Sequence, residues 1–125
     1  EEPMPNFSDP TVIASGLGFN CAIADKKVHC WGQNNFGQTD APSHTNPTSI
    51  VSTGEHICSL DENRVQCWGR NDRGQTHVPT TLIHPKQIAT GLKHSCALDD
   101  TGVVCWGSND KKQLELMSHN IALWL

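Results

Sequence analysis

The 125-residue chain contains no tyrosine, and three of its four tryptophans (Trp31, Trp68 and Trp106) sit in one recurring triplet. Three of its seven aromatic residues therefore serve that triplet. Basic residues are also scarce, 9 against 13 acidic ones, for a net charge of −4. Without a basic patch to neutralise phosphates, nucleic acid is excluded as an expected partner. No apolar run reaches the length of a transmembrane helix. No glycine-rich phosphate loop, no serine in a nucleophile elbow and no His-x-x-x-His pair with a carboxylate occurs, which removes the common signatures of nucleotide, serine-hydrolase and metalloprotease chemistry.

What the chain does have is regularity. Three stretches read CAIADKKVHCWG, CSLDENRVQCWG and CALDDTGVVCWG. The cysteines pair nine residues apart each time, as Cys21 and Cys30, Cys58 and Cys67, and Cys96 and Cys105. The Cys-Trp-Gly triplets begin 37 and then 38 residues apart. A fixed period of this size marks a solenoid, a propeller or another array of supersecondary units. Six cysteines in three regular pairs point to disulfides and to a compartment outside the reducing cytosol. Zinc is the rival reading, but its sites favour Cys-x2–4-Cys spacing with a second ligand pair close by. The chain opens on Glu1 and Glu2 without an initiator methionine, as a mature or trimmed chain would. No signal peptide is visible, so export is read from the cysteines.

Each unit begins with a short apolar strand read as ending at Gly16, Gly54 or Gly91. Two further strands follow, one with each cysteine. Apolar residues recur with period two, the strand signature. Placing Cys21 opposite Cys30 puts Ile23 opposite Val28 and Asp25-Lys26 at a tight turn. The same register puts Glu62-Asn63 and Asp100-Thr101 at the other turns. Directly opposed non-hydrogen-bonded residues have Cα atoms about 4.5 Å apart, at the short edge of the disulfide range. After each tryptophan, Asn34-Asn35, Asn71-Asp72 and Asn109-Asp110 supply turn chemistry. Gly37 and Gly74 precede a glutamine, and Pro42 and Pro79 close the unit. The third copy has Lys112 and Met117 instead. The organisation expected is an N-terminal extension over 1–10, three repeats over about 11–47, 48–84 and 85–120, and a C-terminal apolar strand over 121–125.

GLKHSCALDDTGVVCWGSNDKKQL and its two sister segments resemble the repeat of the regulator of chromosome condensation family, roughly G-x-x-H-x-x-A-L, G-x-V, W-G-x-N-x-x-G-Q-L. The resemblance covers nearly all of the chain after Pro10. It implies an all-β, propeller-type array of three short blades with three to four strands each, plus one terminal strand. The family usually has seven blades, so this is an incomplete ring. The short period and paired cysteines look most like the family's secreted bacterial members and the extracellular repeats of Crinkly-type plant receptor kinases. Phe19 departs from the pattern, standing where His56 and His94 carry the motif histidine. The founding member's nucleotide-exchange role is not carried over.

The motif histidines read as structural, each hydrogen-bonding the blade. The remaining five are scattered. Asp99 and Asp100 adjoin, but their counterparts, Asp61-Glu62 and Ala24-Asp25, favour a hairpin-turn role over an acid/base pair. The three motif tryptophans read either as core rings packed blade on blade or as exposed aromatics for binding.

The function expected is non-enzymatic binding by a secreted, periplasmic or surface-exposed protein, with a protein ligand favoured over a glycan and with no cofactor or metal. Loops on a rigid scaffold are where binding usually lives. The candidate surface is Asn34, Asn35, Phe36, Arg70, Asn71, Asp72, Arg73, Asp110 and Lys111, with Phe36 and Arg73 at matching places in successive copies. One alternative is a structural role in which Ile121, Leu123, Trp124 and Leu125 complete the ring with a second copy, a dimer being favoured, or with another protein. A carbohydrate-active enzyme is the other, with no catalytic constellation to support it.

Overall fold

A computed structural model of the protein describes residues 9–108. The expected strand over 121–125, with Ile121, Leu123, Trp124 and Leu125, lies outside the described residues, as do Asp110 and Lys111. Among the described residues, nine strands form three antiparallel sheets of three, each in chain order. Blade 1 holds β1 (Pro10–Ser15), β2 (Phe19–Ala24) and β3 (Lys27–Gly32). Blade 2 holds β4 (Pro47–Thr53), β5 (His56–Asp61) and β6 (Arg64–Gly69). Blade 3 holds β7 (Gln87–Thr90), β8 (His94–Asp99) and β9 (Gly102–Gly107).

The hairpin register follows from the cysteine spacing. Cys21 pairs with Cys30, Cys58 with Cys67 and Cys96 with Cys105, each on adjacent strands of one blade. Disulfides join all three pairs, across Cα separations of 4.1, 4.1 and 4.0 Å. The turns meet the twist of their strands in different ways. Asp25 and Lys26 both take positive φ, 55° and 61°, as a tight two-residue hairpin requires. In the third blade that demand falls on Gly102, at φ 122°.

Gly54 does not stand where the sequence placed it. The ladders pair Ser15 with Asn20, Ser52 with Ile57 and Thr90 with Ser95. Thr53 therefore occupies the position of Gly16 and Gly91, and Gly54 belongs to the turn, level with Leu17 and Leu92. At Gly16 and Gly91 a Cβ would collide with the rings of Phe19 and His94. Those two positions need glycine to clear a ring, whereas Gly54 needs it for a φ of 81°.

The blades stack with a fixed polarity. One face of blade 1, bearing its disulfide with Val12, Ala14, Ile23 and Val28, packs on Ile50, Ile57 and Trp68 of blade 2. The disulfide face of blade 2, with Val51, Leu60 and Val65, packs on Ile88, Ala97 and Trp106 of blade 3. The first strands β1, β4 and β7 lie side by side across the three blades. Non-reducing peptide mapping should recover only the three intra-blade disulfides, and a bridge between blades would contradict the register. Replacing both Cys58 and Cys67 by serine should cost at most about 3 kcal/mol, the chain-entropy value of a ten-residue loop, read from denaturant midpoints.

Candidate binding surface

At one end of the blades the β1–β2, β4–β5 and β7–β8 turns meet the loops that leave β3 and β6. Those loops are built around a buried glutamine. In the first, Gln38 Oε1 accepts the Phe36 amide at 2.7 Å, and its Nε2 donates to Asn35 Oδ1 at 3.1 Å. Asn34 Oδ1 accepts the Thr39 amide at 2.8 Å. The second repeats this atom for atom. Gln75 Oε1 accepts the Arg73 amide at 2.8 Å, Gln75 Nε2 donates to Asp72 Oδ1 at 3.2 Å, and Asn71 Oδ1 accepts the Thr76 amide at 3.0 Å. Asn34, Asn35, Asn71 and Asp72 thus hold loop shape.

The same glutamines join blades. Trp68 Nε1 donates to the Gln38 carbonyl at 2.9 Å, and Trp106 Nε1 donates to the Gln75 carbonyl at 2.8 Å. Each indole reaches back to the loop of the preceding blade. Trp68 and Trp106 are buried, and Trp31 is half-buried. Gln75→Ala should leave the Arg73 amide without its acceptor and loosen the carbonyl that Trp106 uses. We expect a loss of about 1–3 kcal/mol in a urea melt, and an unchanged midpoint would remove the glutamine from this role.

The motif histidine also works between blades. His56 Nε2 faces the His94 carbonyl at 3.2 Å, which fixes it as the donor, and lies 3.0 Å from Ser95 Oγ. Ser95 Oγ in turn donates to the Gln75 carbonyl at 3.0 Å. Burial pushes the His56 pKa down to about 4, with the hydrogen bond to the His94 carbonyl partly opposing it. At the first seam the equivalent ring is Phe19, packed in an apolar cluster with Ile57. His44, in the linker to blade 2, donates through Nδ1 to the Pro42 carbonyl at 2.7 Å and sets its ring edge against Trp68. Its Nε2 lies 2.7 Å from Ser59 Oγ. Burial lowers its pKa too.

The adjoining carboxylates are structural. Asp61 accepts the amides of Thr45 and Asn46 at 2.9 and 2.7 Å. Burial would raise its pKa, but these amides and Arg64 outweigh it and hold the pKa below the usual value. Asp99 accepts the Thr101 hydroxyl and the Ile83 amide at 2.6 and 2.9 Å. Each thereby fastens the linker that enters the first strand of its own blade. Asp100 turns away to His84 and Lys86. Among the described residues no three histidine, cysteine, aspartate or glutamate side chains gather as a metal site requires.

Three large apolar side chains face solvent on the loop end. Leu17, Phe36 and Leu92 are 59%, 38% and 66% exposed. The Leu17 amide donates to the Gly54 carbonyl at 2.7 Å, and Leu92 lies against Gly54. Arg70 from the second loop lays its guanidinium over the Phe36 ring of the first, 4.7 Å from the centroid. Glu55 and Asp72 grip it at 2.6 and 3.0 Å. The hydrogen bonds it donates to Asp72 and then Glu55 raise its pKa further. The structure so brings Phe36 and Arg70 together across two blades. Leu17, Leu92 and Glu55 were not anticipated. An apolar residue directly after a strand-ending glycine, where turns are normally polar, was the available signal for the two leucines.

Three directional sheets stacked on a side-by-side row of first strands define consecutive blades of a β-propeller. Residues 86–113 match the Regulator of chromosome condensation (RCC1) repeat, and the two preceding blades repeat the hairpin register of that segment. No curated protein sequence matches it. Among solved structures it is similar to the ectodomain of the receptor kinase CR4 of Physcomitrella patens, with 31% identity and a TM-score of 0.64, over 76% of this chain and 28% of that one. The CRINKLY WD40 ectodomain of the Arabidopsis thaliana receptor kinase ACR4 is 28% identical with a TM-score of 0.60, over 79% of this chain and 36% of that one. Prp20p of Saccharomyces cerevisiae shares the fold at 19% identity and a TM-score of 0.72, over 96% of this chain and 36% of that one. The chain spans well under half the length of each.

Proposed function

We propose that this protein is an extracytoplasmic binding module without catalytic activity, which recognises a protein through its loop face. The observation that carries this reading is the exposed surface formed by Leu17, Leu92 and the Arg70-capped Phe36. Large apolar side chains exposed on one face mark interaction sites, and aromatic and arginine residues dominate binding hot spots. Three disulfides and the two ectodomain neighbours support a location outside the cytosol. The test is a pull-down from the oxidising compartment beside a glycan array, each run with the chain and with its Leu17→Asp/Leu92→Asp variant. Proteins retained by the first and lost by the second support the reading. Retention of only glycans overturns its protein half.

A second reading has its own observation. Ile13, Ile50 and Ile88 occupy one register position in the three blades, opposite Ala22, Ser59 and Ala97. Ile50 and Ile88 are 4% and 8% exposed beneath the preceding blade, whereas Ile13 is 64% exposed. We infer that this face of blade 1 takes the disulfide face of a second copy, and that Ile121, Leu123, Trp124 and Leu125 join that contact. A two-fold pair of six blades is the simplest closed assembly. Sedimentation should show a dimer that Ile13→Asp converts to monomer. A monomer in both cases would rule it out.

A further inference from the structure

The His56 ring is wholly buried between blades 2 and 3, and its two nitrogens are treated unequally there. Nε2 donates to the His94 carbonyl at 3.2 Å and meets Ser95 Oγ at 3.0 Å. Nδ1 is buried too, and it has no hydrogen-bond partner among the described residues. The neutral ring leaves a lone pair at that place. The protonated ring would leave an N–H and a charge, with nothing to accept either. Burial first, and then the nearby His94 ring of β8, disfavour charge on it and hold its pKa down at about 4. Ser95 of β8 and the ladder partners Thr53 of β4 and Gly69 of β6 are neutral, and Glu55, next in the chain, is engaged by Arg70. His44 at the first seam differs. Its Nδ1 donates to the Pro42 carbonyl and its Nε2 lies 2.7 Å from Ser59 Oγ, so both nitrogens keep an acceptor when protonated.

Two routes lead from this ring to the loop face, and they converge on Arg70. Glu55 immediately precedes His56. Its carbonyl accepts the Arg70 amide at 2.9 Å, and its carboxylate holds Arg70 Nη1 at 2.6 Å. The backbones run so close that a Cβ on Gly69 would stand 2.6 Å from the Glu55 carbonyl oxygen and 3.0 Å from His56 Cα. On the other side, Ser95 Oγ and Trp106 Nε1 both donate to the Gln75 carbonyl. Gln75 Nε2 donates to Asp72 Oδ1, and Asp72 Oδ2 holds Arg70 Nη2 at 3.0 Å. Both carboxylates that aim Arg70 at Phe36 are therefore fastened to the seam that His56 fills. The first seam has Phe19 and Ile57 at the equivalent places, and neither titrates.

We propose that His56 is a proton-operated release for the loop face. When it takes up a proton, blades 2 and 3 part at this seam until water reaches Nδ1. The Glu55 and Asp72 anchors of Arg70 shift with the two sides of the seam, and the Arg70 cap leaves Phe36. A protein bound on the loop face at neutral pH is let go as its surroundings acidify. This inference rests on the loop-face reading and adds the condition under which that face holds its partner.

The experiment measures amide hydrogen exchange, residue by residue, on the whole oxidised chain at about pH 7.5 and about pH 5, corrected for the intrinsic pH dependence of exchange. The amides of Arg73 and Thr76, held by Gln75 and Asn71, report the second loop. Those of Phe36 and Thr39, held by Gln38 and Asn34, report the first loop and are the internal control. Protection of Arg73 and Thr76 should fall about 25-fold at the lower pH, the linkage factor for a ring that titrates at 6.5 when open and at about 4 when closed. Phe36 and Thr39 should keep theirs. His56→Gln should abolish the fall. If that variant does not fold, His56→Phe/Ser95→Ile copies the first seam and serves instead. No fall, an equal fall in both loops, or a fall that survives the substitution overturns the proposal. Proteins that the parent retains from an extract of the oxidising compartment at the higher pH should elute at the lower one and stay on the variant. Proteins that stay on both overturn the release but leave the loop-face reading standing. If neither chain retains any protein at the higher pH, the loop-face reading fails and the release with it, whatever the exchange shows.

Discussion

Trp68→Ala should lower the unfolding free energy by about 3–5 kcal/mol, the usual cost of truncating a buried tryptophan. The ring is closed in by the disulfide face of blade 1, by the edge of His44 and by the Gln38 carbonyl that its N–H addresses. Removing it empties the first seam and leaves that carbonyl unmet. Trp106→Ala should cost a similar amount at the second seam. Trp31→Ala should cost distinctly less, because Trp31 is half-buried. Denaturant melts of the three variants check this. Equal losses at Trp31 and Trp68 would mean that cover by a preceding blade is not what gives the ring its value.

The second large effect is on pH. His56 is neutral in the fold, with its pKa near 4 against an ordinary 6.5. The unfolded chain takes up a proton on this residue before the folded one does. Stability is therefore full above pH 6.5, falls as the pH drops from there toward 4, and flattens below. Integrated over that interval the loss is on the order of 3 kcal/mol. Asp61 and Asp99 act in a lower window. Their folded pKa values lie below the ordinary 3.8, so their contribution is lost only as the pH falls beneath that value. His56→Gln keeps a donor toward the His94 carbonyl but does not titrate. Its melting temperature should change much less between pH 6.5 and 4 than that of the parent, with His44 supplying the remaining slope. A variant as acid-sensitive as the parent would place the titration elsewhere.

The strands, their register and the disulfide partners were legible because they depend on short-range spacing. A nine-residue separation with a two-residue turn admits one in-register hairpin, and three copies repeat it. Gly54 was misplaced because letter-matching aligned glycines, whereas the ladder aligns strand ends and puts Thr53 there. The role of Gln38 and Gln75 was not legible. Polarity marked both as loop residues, yet they are buried because their own loop supplies every partner. The pairing of Phe36 with Arg70 was beyond reach for another reason. It joins different positions of two repeats, 34 residues apart, and arises only when the blades stack. The exposed leucines follow the same logic. A leucine two residues past a strand looks like core until the turn is seen to point outward.

The seams between blades share a polarity but not a chemistry. At the first, Phe19 meets Ile57; at the second, His56 meets Ser95. The linker position that packs on the following tryptophan is His44 in one and Leu82 in the other. A blade 3 that collapsed directly onto blade 1 during folding would set Ser95 against Phe19, and its hydroxyl would lose the His56 N–H that meets it in the correct order. That wrong order forgoes a hydrogen bond which the correct one makes, and so the mismatched seams act as a proofreading code for the sequence in which near-identical units assemble.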